Sequence, residues 1–292
     1  MSISAVLNTK NSEQTLEKTL RSLSFVDEII VADMKSSDNT RKIAFQFGAV
    51  VVPVPDSTHV EPARNAAIAA ATSDWILVID ADETVPKTLA TQLTELSQSS
   101  TEFVAYEIPR KNILFDAWIQ HAGWWPDYIL RFFKKGSVTW SDQIHSKPVV
   151  RGSIGSLPAE ENTALAHENY QSIDQFLQKL VRYTSVEAET RTTKSVHPLA
   201  VFKNEFFRRY FAEQGNKDGA HGMAVSLLQS FYEVVVSLKH WEHAGFPKTK
   251  MVDTTVAWQL QKELHYWLTS EKIQNSSGIT ALYWRVRRKL GV

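Results

Sequence analysis

Trp75-Ile76-Leu77-Val78-Ile79-Asp80-Ala81-Asp82-Glu83 is the stretch that decides the fold of this chain. Five uninterrupted apolar residues read as a strand buried on both faces, as strands inside parallel sheets are. The strand runs straight into an Asp-x-Asp. Upstream, residues 3–7 read as a first short buried strand, and Asn11 with Gln14 three residues on has the form of a capping box before Leu16, Leu20 and Leu23 at helical spacing. Residues 28–32 form a β-branched run ending at Asp33. Asp38 is placed to cap a helix carrying Ile43 and Phe47, which Gly48 stops. Residues 50–54, with Pro53 inside and Pro55 beyond, suit a strand near a sheet edge. Pro62 precedes the Ala-rich stretch 63–71 where a first helical turn tolerates it, and residues 86–96 read as the next helix. Strands alternating with helices of about this length imply parallel pairing with helices on both faces, and ligands in such sheets bind outside the carboxyl ends of the strands. Asn8, Asp33 and Asp80 stand at three of those ends.

Composition bounds the function. The 292 residues balance Lys+Arg 32 against Asp+Glu 32, and 43% hydrophobic with 22% charged residues is ordinary for a globular chain. A neutral balance argues against a nucleic-acid partner, which calls for basic excess. The absence of cysteine excludes a disulfide scaffold, a zinc finger and a thiol nucleophile, and suits a reducing, cytoplasmic setting. The N-terminus lacks a basic start and turns polar at Lys10, so no signal peptide is expected, and no apolar run is long enough to span a membrane. Charge is uneven: residues 199–292 hold 13 Lys+Arg against 8 Asp+Glu, a balance of +5 that leaves −5 for the first 198 residues.

The chain has no Gly-rich phosphate loop of either the dinucleotide or the P-loop type, so phosphate has to be held another way. Asp80 and Asp82 offer it. Residues i and i+2 at a strand end project to one side, and hard carboxylate oxygens select Mg²⁺ or Mn²⁺, ions that bridge carboxylates to substrate phosphates. The plainer reading is an acidic pair that caps the following helix. A rival chemistry is a phosphatase of haloacid-dehalogenase type, with Asp80 as nucleophile and Asp82 as acid/base. It would need a later acidic pair after an apolar strand, which the sequence lacks, and would leave the upstream strands and helices without a role.

Taken together, Leu7-Asn8-Thr9-Lys10-Asn11, Asp33-Met34-Lys35-Ser36-Ser37-Asp38-Asn39-Thr40, Arg64-Asn65 and the deciding strand resemble the family 2 glycosyltransferases of GT-A fold. Tyr106-Glu107-Ile108-Pro109-Arg110-Lys111-Asn112, His121-Ala122-Gly123-Trp124-Trp125-Pro126-Asp127-Tyr128 and Leu130-Arg131-Phe132-Phe133 are more discriminating. They resemble the subgroup that extends lipopolysaccharide inner core, and the likeness continues to Phe206-Phe207-Arg208. The resemblance implies transfer of a sugar from a nucleotide-sugar, a UDP-sugar first among them, to a glycan or glycolipid hydroxyl, with inversion at the anomeric carbon. It places Asn8, Thr9, Asn11, Asp33, Arg64 and Asp80 around the donor nucleotide, with Asp80 also facing a divalent metal and Asp82 its direct ligand. Two departures stand out. Met34-Lys35 replaces the family's Ser-Gly after the second strand, and His145-Ser146 stands where the family reads His-Glu.

Inversion needs one general base. Asp127 is the candidate, flanked by Trp124, Trp125 and Pro126, with pairing to Arg131 four residues on as its plainer role; Asp116 and Asp142 are weaker alternatives. A third metal ligand is expected from a distant histidine, His145 ahead of His167. Arg110, Lys111 and Arg131 could meet phosphates, but solvated charge is their default.

Beyond residue 171 the periodicity is helical. Phe202, Phe206 and Tyr210 recur every four residues, and Val252, Val256, Leu260, Leu264 and Leu268 form a second stripe. Residues 279–290 mix apolar, aromatic and basic side chains in the manner of an interfacial helix. The expectation is an α/β GT-A domain over residues 1–170 and a helical extension over 171–292 that touches the acceptor or the inner face of the cytoplasmic membrane. An inactive peripheral membrane module is the remaining alternative.

Overall fold

The computed structural model describes residues 1–56, 61–140, 148–191, 197–248 and 254–290. It divides into two compact units, one of Met1–Trp118 with Trp124–Gln171, the other of Ile119–Gly123 with Ser172–Val292.

The first unit opens as the sequence pattern requires: β1 (Ile3–Thr9), α1 (Leu16–Ser22), β2 (Glu28–Asp33), α2 (Thr40–Gln46), β3 (Val50–Pro53), α3 (Glu61–Ala70) and β4 (Trp75–Asp80). A two-residue β5 (Glu83–Thr84) and α4 (Lys87–Gln98) follow, then the long β6 (Phe103–Leu114), β7 (Ala117–Trp118), β8 (Asp127–Lys134), β9 (Val138–Thr139), β10 (Val149–Val150), β11 (Ser153–Ser156) and β12 (Leu165–Tyr170). The main sheet runs β3-β2-β1-β4-β8-β6-β12-β5, with β7 and β11 also paired to β6. Its first four strands are parallel and β3 is at the edge. The sheet then changes sense, because β8 pairs antiparallel with both β4 and β6. Alternation along each strand splits the core into two layers. Leu7, Val31, Leu77 and Ile79 pack with Leu16, Leu20, Leu89 and Leu93 on one face. Val6, Ile30, Ile76 and Val78 pack with Ala63 and Ala67 of α3 on the other, where small side chains let the helix lie close. Trp75 is fully buried and stacks on Phe132 at 4.6 Å between ring centroids, which fastens β4 to its antiparallel neighbour.

Local details differ from the reading at two points. Asn11 does not cap α1, which starts at Leu16; it stands at φ +50 and its Oδ1 accepts from the Ser37 N–H at 2.9 Å, joining the loop after β1 to the loop after β2. Asp38 does serve α2, accepting from the Thr40 N–H at 3.0 Å. Lys35, which replaces the family's glycine, sits at φ +55, the left-handed conformation that glycine adopts without strain.

The second unit is helical: α5 (Ile173–Thr190), α6 (Pro198–Phe207) running into a π-helical turn (Arg208–Ala212), α7 (Gly219–His243), α8 (Thr254–Gln274) and α9 (Gly278–Leu290). Ser172 caps α5 by accepting from the Gln175 N–H at 3.1 Å. The aromatic stripe forms as spaced: Phe206 stacks on Phe202 at 5.8 Å and on Tyr210 at 5.4 Å. Val252 of the second stripe lies outside the described residues, and the rest does not form a seam. Val256 is buried, but Leu264 and Leu268 are exposed, because a repeat of four drifts by ~40° per step around a 3.6-residue helix. Among the described residues no helix is long and apolar enough to cross a membrane.

Candidate active site

Ladder register assembles the site. Thr9 lies opposite Asp33 and Asn8 opposite Asp80 at the carboxyl ends of β1, β2 and β4. Arg110 lies opposite Asp127 between β6 and β8, and His167 of β12 lies opposite Asn112 on one side and Glu83 on the other. Residues far apart in sequence thus become direct neighbours on one sheet.

The residues expected on the donor side lie on neighbouring strand ends. Asp33 is buried, accepting from the Thr9 hydroxyl at 3.3 Å and the Ser36 N–H at 3.1 Å, with Arg41 Nε 3.5 Å from Oδ2. Asn8 is buried too, and its Oδ1 has no hydrogen-bond partner among the described residues. Arg64 lies over the Trp140 ring at 5.4 Å and reaches within 3.7 Å of Asp80.

Behind them Arg110 and Arg131, whose default is solvated charge, instead join a buried network with Asp80 and Glu83. Glu83 is fully buried; its Oε2 accepts from the Asp80 N–H at 2.9 Å, while Oε1 faces Arg131 at 3.1 Å and Arg110 at 3.4 Å. Arg131 also bonds the Asp80 carboxylate. Burial works to raise the Asp80 carboxyl, but the guanidinium groups of Arg131, Arg64 and Arg110 outweigh it and hold the group well below the usual carboxylate range. Burial likewise opposes charge on Arg131, and Asp80 and Glu83 together overcome it, raising Arg131 above its ordinary value.

Asp127 is paired, though not with Arg131. Its Oδ2 accepts from Arg110 Nε at 2.8 Å and from Asn112 Nδ2 at 2.9 Å, and no described residue bonds Oδ1. Asn112 has a second task. Because Nδ2 donates to a carboxylate, which only accepts, the other end of the amide is the acceptor, and it stands 2.7 Å from His167 Nδ1. His167 therefore carries a proton on Nδ1, and its Nε2 stands 3.6 Å from Asp82 Oδ1. Nε2 can meet that carboxylate either with a proton of its own or through a cation held between them. The Glu168 N–H donates to the Asp82 carbonyl at 3.0 Å, pinning that turn beside β12.

Asp80 and Asp82 thus have different surroundings: Asp80 is engaged by arginines, and Asp82 faces a histidine. His145 and Asp142 lie outside the described residues. Asp116 sits in the turn between β6 and β7 at φ +63. Lys111 pairs with Glu161 at 2.6 Å. No three acidic or histidine side chains converge on one point among the described residues. Asp82 and His167 supply two hard or borderline donors, which suits an ion that completes its shell with substrate phosphate and water.

The family model described as Glycosyl transferase family 2 matches residues 4–151. An uncharacterized glycosyltransferase of Rickettsia felis is 28% identical over 283 residues, covering 89% of this chain and 96% of that one. The lipopolysaccharide core biosynthesis glycosyltransferase LpsC of Rhizobium meliloti is 23% identical over 273 residues, covering 87% of this chain and 97% of its own. Among solved structures, S. aureus TarS 1-349 in complex with UDP aligns at a TM-score of 0.43 and 15% identity, over 87% of this chain and 95% of that one. Glucosyl-3-phosphoglycerate synthase from Mycobacterium tuberculosis, solved with Mn²⁺, UDP and glucosyl-3-phosphoglycerate, aligns at 0.33 and 30% identity over 36% of this chain and 43% of that one.

Proposed function

The chain belongs to glycosyl transferase family 2 and is a glycosyltransferase working from nucleotide-sugar donors; from that premise we propose that it inverts the sugar's anomeric centre as it transfers it to a lipopolysaccharide-core or other lipid-linked glycan at the cytoplasmic face of a membrane. A UDP-sugar is the donor to test first. The lipopolysaccharide acceptor draws on the named relative and on the two central motifs. Family membership leaves the phosphatase reading without support.

The observation that carries the chemistry is the Asp127–Asn112–His167 chain of bonds, which ties a base with one oxygen that no described residue bonds to a histidine whose Nε2 faces Asp82. Asp127 Oδ1 takes the proton from the acceptor hydroxyl. The freed oxygen bonds to the anomeric carbon on the face opposite the leaving phosphate. The carbon–phosphate-oxygen bond breaks with its electron pair on the nucleoside diphosphate. Arg110 and Asn112 hold Oδ2 so that Oδ1 stays aimed. On the donor side, the unpartnered Asn8 Oδ1 suits a ribose hydroxyl or base N–H, and Arg64 suits the diphosphate. A Mg²⁺ or Mn²⁺ ion would be held by Asp82 and His167 beside Asp80, and when bound supplies positive charge to offset that gathering on the departing diphosphate. His167 takes the nitrogen-ligand role in this reading.

The test is calorimetric titration with UDP, GDP and dTDP, with and without Mn²⁺. One nucleotide is expected to bind in a Mn²⁺-dependent manner, and Asp82→Ala or His167→Ala should remove that dependence. Failure of every nucleotide would overturn the donor reading. Unchanged Mn²⁺ dependence in both variants would overturn the ligand assignment.

A further inference from the structure

Helix α9 is built inside out. Ala281 is buried, Lys272 of α8 lies 4.0 Å from the Trp284 ring, and Arg288 donates to Ser270 Oγ at 3.0 Å while stacking on Tyr266 at 5.3 Å. Residues 281, 284 and 288 therefore form the side that packs on α8. The opposite side carries Ile279, Leu282, Tyr283 and Val286, which are 88%, 58%, 51% and 49% exposed. Spaced i, i+3, i+4, i+7, these four fall within an arc of ~100° on a 3.6-residue helix. A helix held by its own protein's core turns its apolar stripe inward. Here the packed side includes an arginine, and the apolar stripe is what remains outside.

The borders of the stripe are basic. Arg285 and Lys289 lie along one edge in the helical projection, and Arg287 along the other, its guanidinium 5.9 Å from the Tyr283 ring. From residue 273 to the C-terminus the chain has four Lys or Arg residues and not one Asp or Glu. An apolar stripe with an aromatic in it and cations on both edges is complementary to one kind of surface, a bilayer with anionic headgroups above an acyl layer.

We propose that α9 lies in the interface of an anionic lipid bilayer, with Ile279, Leu282, Tyr283 and Val286 toward the acyl chains and Arg285, Arg287 and Lys289 at headgroup level. This deepens the lipid-linked acceptor of the proposed transfer and rests on that reading for its purpose. The binding itself needs neither donor nor acceptor.

The full chain should co-sediment with phosphatidylcholine vesicles containing phosphatidylglycerol, far less with phosphatidylcholine alone, and less as salt is raised. Leu282→Asp and Val286→Asp should each weaken the partition roughly tenfold or more, and Arg285→Glu by several-fold. Phe45→Ser, which removes an equally exposed apolar side chain from α2, should bind as the parent does. Retained nucleotide binding by calorimetry shows that the variants are folded. No binding to anionic vesicles, or binding that the α9 substitutions leave unchanged, would overturn the proposal. So would a parent dimer that Leu282→Asp dissociates in the ultracentrifuge, since a second copy would then be what covers the stripe. Vesicle binding without nucleotide binding would remove the donor reading and leave the docking face standing; the reverse result would remove the docking face alone.

Discussion

At the scale of single residues the site turns on two side chains with divided loyalties, Asn112 and Glu83. Asp127→Asn keeps the shape but loses the proton acceptor, so kcat should fall by ~10²- to 10⁴-fold while calorimetric donor binding is unchanged. A matching loss of donor affinity would remove Asp127 from the base role. Asn112→Leu strips His167 of the acceptor that fixes its tautomer, and Mn²⁺ affinity should drop by ~10- to 100-fold. Glu83→Gln leaves Arg110 and Arg131 short of a buried anion, which should cost about 3–5 kcal/mol in urea unfolding. The places of Asn8, Asp33 and Asp80 at strand ends were legible in the sequence because each closes an apolar run. Glu83, Arg110, Asn112 and Arg131 were not. Each is brought to its partner by register between strands, and a single sequence does not reveal which residue of a twelve-residue strand faces which residue of its neighbour.

Among elements, the parallel half of the sheet follows from alternating apolar runs and helices, and so does the edge position of the proline-bearing β3. The reversal at β8 is invisible to the same reading, because a buried strand's composition does not record its direction. Packing at the close approach of the Gly215–Asp218 turn to α7 gives a prediction of inverted sign. Glycine to alanine inside a helix ordinarily stabilises by about 1 kcal/mol. At Gly222 a Cβ would run into the Gly215 carbonyl, so Gly222→Ala should lower the melting temperature instead. The start of β2 carries a pH signature. Burial works to raise the Glu28 carboxyl, but bonds from Ser4 and Thr72 and the charge of Lys135 hold it below its ordinary value. A depressed folded-state value adds stability above the unfolded-state pKa of roughly 4.3, and that stability is lost as pH falls through the lower folded value. The urea midpoint should therefore hold between neutrality and about pH 5 and decline below about pH 4.3, with a shallower decline in Glu28→Gln. An identical acid slope in that variant would discount Glu28.

For the whole molecule, the division at Gln171 hides an exception: residues 119–123, from the middle of the chain, are built into the helical unit. The Asp218 carboxylate accepts from the His121 N–H at 2.8 Å, and the Ala122 N–H donates to the Glu213 carbonyl at 2.8 Å. Arg209 donates back to the Ala122 carbonyl at 2.7 Å. This crossing sets a schedule for synthesis. His121 leaves the ribosome 97 residues before Asp218, an interval of ~5–20 s at ordinary elongation rates. Until Arg209, Glu213 and Asp218 have followed, residues 119–123, lying between Trp118 and the strand that bears the proposed base, lack these three partners. This segment is translated long before it can be fixed, so the arrival of Asp218 acts on it as a built-in timer.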